Sequence, residues 1–146
     1  MIVLDTNVVS ELMRNMPDEN VVQWVDRHPV NDVFLTAVTA AELLFGVERL
    51  PDGHRKGVLM VKVAELLAED FDGRILPFGT AAAAHYAQVS AARERDGRPI
   101  SMADAQIAAI CLHHNAGLAT RNIKDFIDTG VRVLNPWDIE AQPPSL

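Results

Sequence analysis

Short, mostly apolar segments alternate along this chain with longer stretches in which apolar residues return at helical spacing. The strand-length segments are Ile2 to Leu4, Val33 to Leu35, Arg74 to Leu76, Leu118 to Thr120 and Val131 to Leu134. The first two helical stretches run from about Val8 to Met13 and from Glu19 to Arg27, with Pro17 and Asp18 marking the break. In the second, Val21, Trp24 and Val25 form a stripe suited to packing. A third stretch, Thr39 to Leu50, ends at the turn signal Pro51-Asp52-Gly53, and a fourth, Val58 to Phe71, places Leu59, Val63, Leu66, Leu67 and Phe71 on one face. An alanine-rich helix is predicted over Thr80 to Arg95, stopped by Gly97-Arg98-Pro99. A last one begins near Ser101 and ends at about Asn115, where Asn115-Ala116-Gly117 has the chemistry of a C-terminal cap.

Strands alternating with helices predict parallel pairing through right-handed crossovers, and strands this apolar predict a sheet covered on both faces. The expected fold is therefore α/β, a three-layer α/β/α sandwich with a short parallel sheet of about five strands. A chain of 146 residues suits one such domain, expected over 1–140, with a flexible tail at 141–146.

Composition narrows the class. With 49% hydrophobic and 23% charged residues, the chain has the proportions of an ordinary globular protein. No apolar run is long enough to cross a bilayer, and the N-terminus lacks the basic and long apolar regions of a secretory signal, so no membrane partner and a cytoplasmic location are expected. A single cysteine, Cys111, excludes a disulfide within the chain and a cysteine-based metal cluster; its apolar helical setting reads as core. The formal charge of −7 argues against nonspecific nucleic-acid binding through a basic surface. It leaves room for a nuclease whose acids hold cations. Arg93, Arg95 and Arg98, with Arg121 and Lys124 further on, could meet phosphates. The ordinary alternative, which the sequence favours, is a solvated helix end in which Glu94 and Asp96 neutralise the arginines.

Three acids sit where an open α/β sheet gathers its ligands. Asp5 closes the first strand, and Glu42 and Asp104 stand near the starts of helical stretches, so all three can meet in the crevice at the carboxyl ends of the strands. Hard divalent cations take oxygen ligands, which makes such a cluster a candidate Mg²⁺ or Mn²⁺ site. Each acid also has a structural explanation. Thr39-Ala40-Ala41-Glu42 and Ser101-Met102-Ala103-Asp104 fit the capping box, and Asp5-Thr6-Asn7 fits a turn and N-cap. Joint placement and the lack of a basic partner nearby in sequence favour the metal site, because crowded carboxylates repel unless protons or cations neutralise them. For a fourth position the sequence offers two residues, Asn122, through its carbonyl oxygen or a water, and Asp125, which also occupies a capping-box position. A Gly-rich phosphate loop, a Gly-x-Ser-x-Gly elbow and a His-Glu-x-x-His helix are all missing from the sequence.

Five segments in order carry a resemblance to a known family: Ile2-Val3-Leu4-Asp5-Thr6-Asn7, Thr39-Ala40-Ala41-Glu42-Leu43 with Gly46, Ser101 through Ala108, Leu118-Ala119-Thr120-Arg121-Asn122 and Asn135-Pro136-Trp137. Across nearly its whole length the chain resembles the PIN-domain ribonucleases, specifically VapC-type toxins of toxin-antitoxin pairs and their FitB-like relatives. The resemblance implies a metal-dependent endoribonuclease, inhibited by its antitoxin, in which Asp5, Glu42 and Asp104 bind metal and Asn122 joins them as a catalytic residue. Many relatives carry aspartate at the position of Asn122, which would weaken a second metal ion. Thr6 and Thr120 would orient ligands. It also implies an RNA substrate, single-stranded or looped, a 5′-phosphate product, a homodimer, a cognate antitoxin whose tail fills the active groove, and contact with DNA only indirectly through that antitoxin. Two rivals remain. One is a weakly active or inactive PIN-fold binding module within a repressor complex. The other, a receiver-type signalling domain, fits poorly because Asp5 follows the first strand and Lys124 falls inside a predicted helix.

Overall fold

Five parallel strands form the centre of the computed structural model, which describes residues 1–138. They are β1 (Ile2–Leu4), β2 (Val33–Thr36), β3 (Ile75–Leu76), β4 (Gly117–Ala119) and β5 (Val133–Leu134), in the spatial order β3-β2-β1-β4-β5. Ile2 pairs with Val33 on one side and Gly117 on the other, so β1 is the central strand. Six helices cover the sheet: α1 (Thr6–Leu12), α2 (Glu19–Asp26), α3 (Ala37–Glu48), α4 (His54–Glu65), α5 (Thr80–Arg95) and α6 (Met102–His114). The expected tail at 141–146 and the last two residues of the expected domain lie outside the described residues.

Side-chain alternation along β1 explains the three layers. Ile2 and Leu4 pack into one cluster with Val8, Val9, Val21, Trp24, Leu43, Val47 and Val63, all from α1 to α4. Val3 points the other way, into a cluster with Ala82, Ile107, Ile110, Cys111, Leu118 and Phe126, built largely on α5 and α6. Each fully buried side chain of this size contributes about 1.5–3 kcal/mol. Trp24 and Cys111 are core residues, as the sequence predicts, and burial pushes the Cys111 thiol up to about 12, with the charge of Asp5 adding to the rise.

The chain winds outward from β1 to β3 beneath α1 to α4, then crosses back over the other face through α5 and α6 to enter β4 beside β1. Strand order reverses between β1 and β4, and the crevice outside their carboxyl ends is where such sheets bind ligands.

Element ends differ from the sequence reading in an informative way. Expected helices begin at Val8, Thr39 and Val58; they begin instead at Thr6, Ala37 and His54. The apolar pattern marks where burial starts, whereas caps decide where the helix starts. Asp5 caps α1, the Thr36 hydroxyl caps α3 by accepting from Thr39 N at 3.1 Å, and α4 follows Gly53, whose φ of 151° favours glycine. The stretch expected to be helical through Phe71 leaves the α-helix at Glu65 and continues as a π-turn over Leu66–Asp70, where Phe71 N bonds Leu66 O at 2.9 Å. At its far end α6 stops on Asn115, left-handed at φ 51°, as the cap signal predicts.

At the end of α5, exposed Arg95 and Arg98 fit the solvated helix end, with Arg98 beside Asp96, and Arg93 fits neither reading of the sequence. Arg93 is only 6% exposed. Its Nε donates to Arg98 O at 2.8 Å and its Nη1 to Asp125 O and Ile127 O, each at 3.0 Å. It is a staple between α5 and the segment after β4. Arg98 is exposed and pairs with Asp128 and Asp96.

Candidate active site

Asp5 leaves the sheet at its busiest point. Its main chain still belongs to the ladder, with Asp5 N donating to Ala119 O at 2.9 Å, while its extended φ and ψ let Oδ1 accept from Thr6 N at 2.8 Å and open α1. Oδ2 accepts from Thr120 Oγ1 at 2.7 Å and from Asn7 Nδ2 at 3.2 Å. Thr120, fully buried just past β4, also accepts from Asn7 Nδ2 at 3.2 Å and from Asn122 N at 3.0 Å. A carboxylate that is 4% exposed is thus supplied with donors from both strands flanking the crevice.

Asp104 sits half-buried in the first turn of α6, whose N-cap Ser101 accepts from Asp104 N at 3.2 Å. That much of the expected capping box is present. At Glu42 the expectation is overturned. Because Thr36 caps α3, Thr39 lies inside the helix and Thr39-x-x-Glu42 is not a capping box. Glu42 is an exposed residue of the second turn, and its Oε1 accepts from Thr6 Oγ1 at 2.7 Å, across 36 positions of sequence. Thr6 therefore links Asp5, through its main chain, to Glu42, through its hydroxyl.

Burial pushes the Asp5 carboxyl above its ordinary range; bonds from Thr120 and Thr6 pull it back, and the charge of Glu42 adds to the rise. Asp104 is raised to about 6, first by burial and next by the charge of Asp5, with the Ser101 hydroxyl opposing and Asp125 and Glu42 adding smaller repulsions. The three acids predicted from sequence share one electrostatic neighbourhood. They do not form a closed cage: among the described residues, no three acid, histidine or cysteine groups make a cluster ready to hold an ion. The donor set nonetheless fits a hard cation, since it is all carboxylate oxygen and burial makes negative charge costly at Asp5 and Asp104.

For the fourth position, the two candidates separate. Asn122 makes no side-chain cap bond; it contributes its main-chain N–H to Thr120, while Asp125, in the turn Ile123–Phe126, is the one whose charge reaches Asp104. Asn7 has a role the sequence reading missed. It bonds Asp5 and Thr120 through Nδ2 and takes Arg121 N through Oδ1 at 3.1 Å, fastening β4's exit to β1's. Its place two residues after Asp5 was visible, but its partners lie 113 and 114 residues away.

Beside Thr6 and Glu42 a groove of about 950 Å³ runs between α1, α3 and α4, with Leu43, Val47 and Leu59 among its apolar lining and Arg55 and Lys62 among its basic lining. Replacing Thr120 by valine keeps the shape and deletes the hydroxyl. The buried Asp5 carboxylate loses a donor and the N–H of Asn122 its acceptor, and a loss of about 1–3 kcal/mol is expected in urea unfolding.

The PIN-domain family model matches residues 2–131. Toxin FitB of Neisseria gonorrhoeae (strain ATCC 700825 / FA 1090) is 44% identical over 137 residues, covering 94% of this chain and 99% of that protein. VapC ribonuclease Y4jK of Sinorhizobium fredii (strain NBRC 101917 / NGR234) is 38% identical over 138 residues, with 94% and 99% coverage. Among solved structures, FitAcB from Neisseria gonorrhoeae superposes with a TM-score of 0.87 at 44% identity, over 94% of this chain and 99% of that one. FitAB bound to an IR36 DNA fragment gives 0.88 at 43% identity, over 96% and 98%.

Proposed function

This chain belongs to the PIN-domain family, and from that premise we propose that it is a metal-dependent endoribonuclease, the toxin of a toxin-antitoxin pair. The observation that carries the reading is Asp5. It is buried where the strand order reverses and held by Thr120 and Asn7, and its charge adds to the burial that raises the Asp104 carboxyl to about 6. A protein does not keep two repelling acids in a crevice for stability; cation binding relieves the repulsion.

Asp5 and Asp104 would hold the ion directly. Glu42, exposed and tied to Thr6, suits an outer ligand or the positioning of the attacking water. Mg²⁺ or Mn²⁺, when bound, offsets charge developing on the phosphate and makes water a competent nucleophile at neutral pH. Thr120 and Asn7 keep the Asp5 oxygens turned toward the crevice, and Thr6 does so for Glu42. Between Asn122 and Asp125, we assign the fourth negative influence to Asp125, with Asn122 supporting Thr120. Through this network Thr120→Val is expected to lower cleavage about 10–100-fold.

The relatives named toxin and ribonuclease, and the solved FitAB complex with DNA, support a cognate antitoxin as partner. Its segment would lie in the groove between α1, α3 and α4, whose apolar floor suits inserted side chains. A homodimer that touches DNA only through the antitoxin agrees with a chain of net charge −7. No helix among the described residues is long and apolar enough to cross a membrane.

An inactive PIN-fold module within a repressor complex is the second reading, and the absence of a closed ligand cluster among the described residues favours it. Metal removal separates the two. Antitoxin-free protein is expected to cut single-stranded RNA with Mg²⁺ or Mn²⁺, to stop on adding EDTA and to recover on readdition, leaving 5′-phosphate ends. Cutting that ignores EDTA would sink the metal-dependent reading, and no cutting with either ion would favour the inactive module.

A further inference from the structure

Arg121 occupies the lip of the acidic crevice on a built support. It is the residue after Thr120, and its main-chain N–H donates to Asn7 Oδ1, so it stands two hydrogen bonds from Asp5. Its guanidinium carbon lies 5.0 Å from the centre of the Trp137 ring. Trp137 is half-buried against the core cluster that β1 and β2 share with α1 to α4, so its ring is held by packing, and its main-chain N–H donates to Asn135 Oδ1 at 2.9 Å. A guanidinium over an aromatic ring is attracted through the ring face, which leaves its in-plane N–H donors for an oxyanion. Beside it a shallow cleft of about 310 Å³ is lined by Arg121, Asn122, Ile123, Lys124 and Asp125, and the charge of Asp125 reaches Asp104. The cation thus shares its cleft with Asp125 and follows directly on Thr120, the residue that holds Asp5.

That placement answers a difficulty the acids create. Asp5, Glu42, Asp104 and Asp125, on a chain of net charge −7, repel a polyphosphate strand. A divalent cation neutralises the phosphate under attack and does little for its neighbours. An arginine without such a support is free to turn onto the carboxylates; Trp137 holds this one over its ring. Resting on the ribonuclease reading, we infer that Arg121, held over Trp137, is a positioning residue that grips the RNA phosphate next to the scissile one. Its forked donors match two oxygens of one phosphate, which Lys124 with a point charge cannot do.

The test uses full-length, antitoxin-free protein, a labelled single-stranded RNA and the variants Arg121→Gln, Arg121→Lys and Arg27→Gln. Arg27 is exposed and lies between α2 and the amino end of β2, whereas the crevice lies at the carboxyl ends of the strands, and it serves as a charge control. For Arg121→Gln, KM is expected to rise at least about tenfold while kcat falls by less than about threefold. RNA binding, measured in the Asp104→Asn background at several salt concentrations, should lose about 0.7 from the slope of log Kd against log salt, the signature of one phosphate contact on a single strand. Arg121→Lys should keep the slope and recover only part of KM, and Arg27→Gln should change neither. If Arg121→Gln matches Arg27→Gln in both KM and slope, the assignment is wrong. It is equally wrong if Arg121→Gln weakens antitoxin binding and leaves RNA binding intact. Should the wild type fail to cut RNA at all, the ribonuclease reading falls, and the salt slope still decides whether Arg121 meets a phosphate.

Discussion

Replacing Asp104 by asparagine is expected to cut RNA cleavage by at least about 100-fold and, in the same metal-free protein at pH 7.5, to raise the melting temperature. The first effect follows from removing a carboxylate whose cation stabilises transition-state charge by several kcal/mol, at about 1.36 kcal/mol per factor of ten. The second follows from the sign of the pKa shift. Asp104 titrates near 6 in the fold against 3.8 for the ordinary carboxyl. A raised acid pKa means that the fold prefers the protonated form. The side chain therefore costs nothing below about pH 4, and its cost grows as pH climbs through 6, where the folded protein must carry the charge against burial and against Asp5. Asparagine removes that charge while keeping the shape. After discounting for solvent screening, the gain is about 1 kcal/mol, or about 2–4 °C for a chain of this length. Melting curves with EDTA at pH 7.5 and pH 4 measure it: the variant should lead at the higher pH and lose its advantage at the lower. With Mg²⁺ or Mn²⁺ added the order should narrow or reverse, because the ion stabilises only the protein that binds it. A variant that cuts RNA like the wild type, or melts lower at pH 7.5, would remove Asp104 from the site.

Arg93→Ala is expected to be the most destabilising change at any charged position of the fold, at about 3–5 kcal/mol in urea unfolding. The guanidinium is buried and satisfies the carbonyls of Arg98, Asp125 and Ile127 at once. Truncation leaves three acceptors without their donor and a hole where the side chain packed, and buried groups left unpaired cost about 1–3 kcal/mol each. Lysine has a single nitrogen and cannot reproduce the fork, so Arg93→Lys should recover less than half of the loss. The bonded segment carries Asp125 and continues from Arg121 and Asn122, so loosening it should also weaken RNA binding while the metal-binding acids stay in place. If Arg93→Ala unfolds at the same urea midpoint as the wild type, the staple contributes nothing.

These two residues mark the boundary of what a linear reading can reach. Asp104 was legible because its own neighbourhood announces it: a serine cap, two residues, an acid, then an apolar helix. Arg93 was not, because nothing within its helix distinguishes it from Arg95, which is exposed two positions later. Its burial depends on Asp125 and Ile127, more than thirty residues away. Glu42 was picked out by its place near a helix start, and the ordinary explanation weighed against it, a capping box at Thr39, is pre-empted by Thr36 one strand-end earlier. The capping-box reading fails because two threonines three positions apart compete for one cap and only the backbone's exit from β2 chooses between them.

By itself, the order of residues determined the alternation of strands and helices, the parallel sheet with covered faces and the presence of acids at the exits of those elements, because period, caps and turn residues act over a few positions of chain. Only the tertiary structure decided that β1 lies at the centre with β4 beside it, which sets Thr120 and Asn7 on Asp5, puts Thr6 against Glu42 and brings Arg121 over Trp137. Those contacts join segments up to 115 residues apart. They are selected by burial of the whole sheet, a sum over both faces that no local window contains.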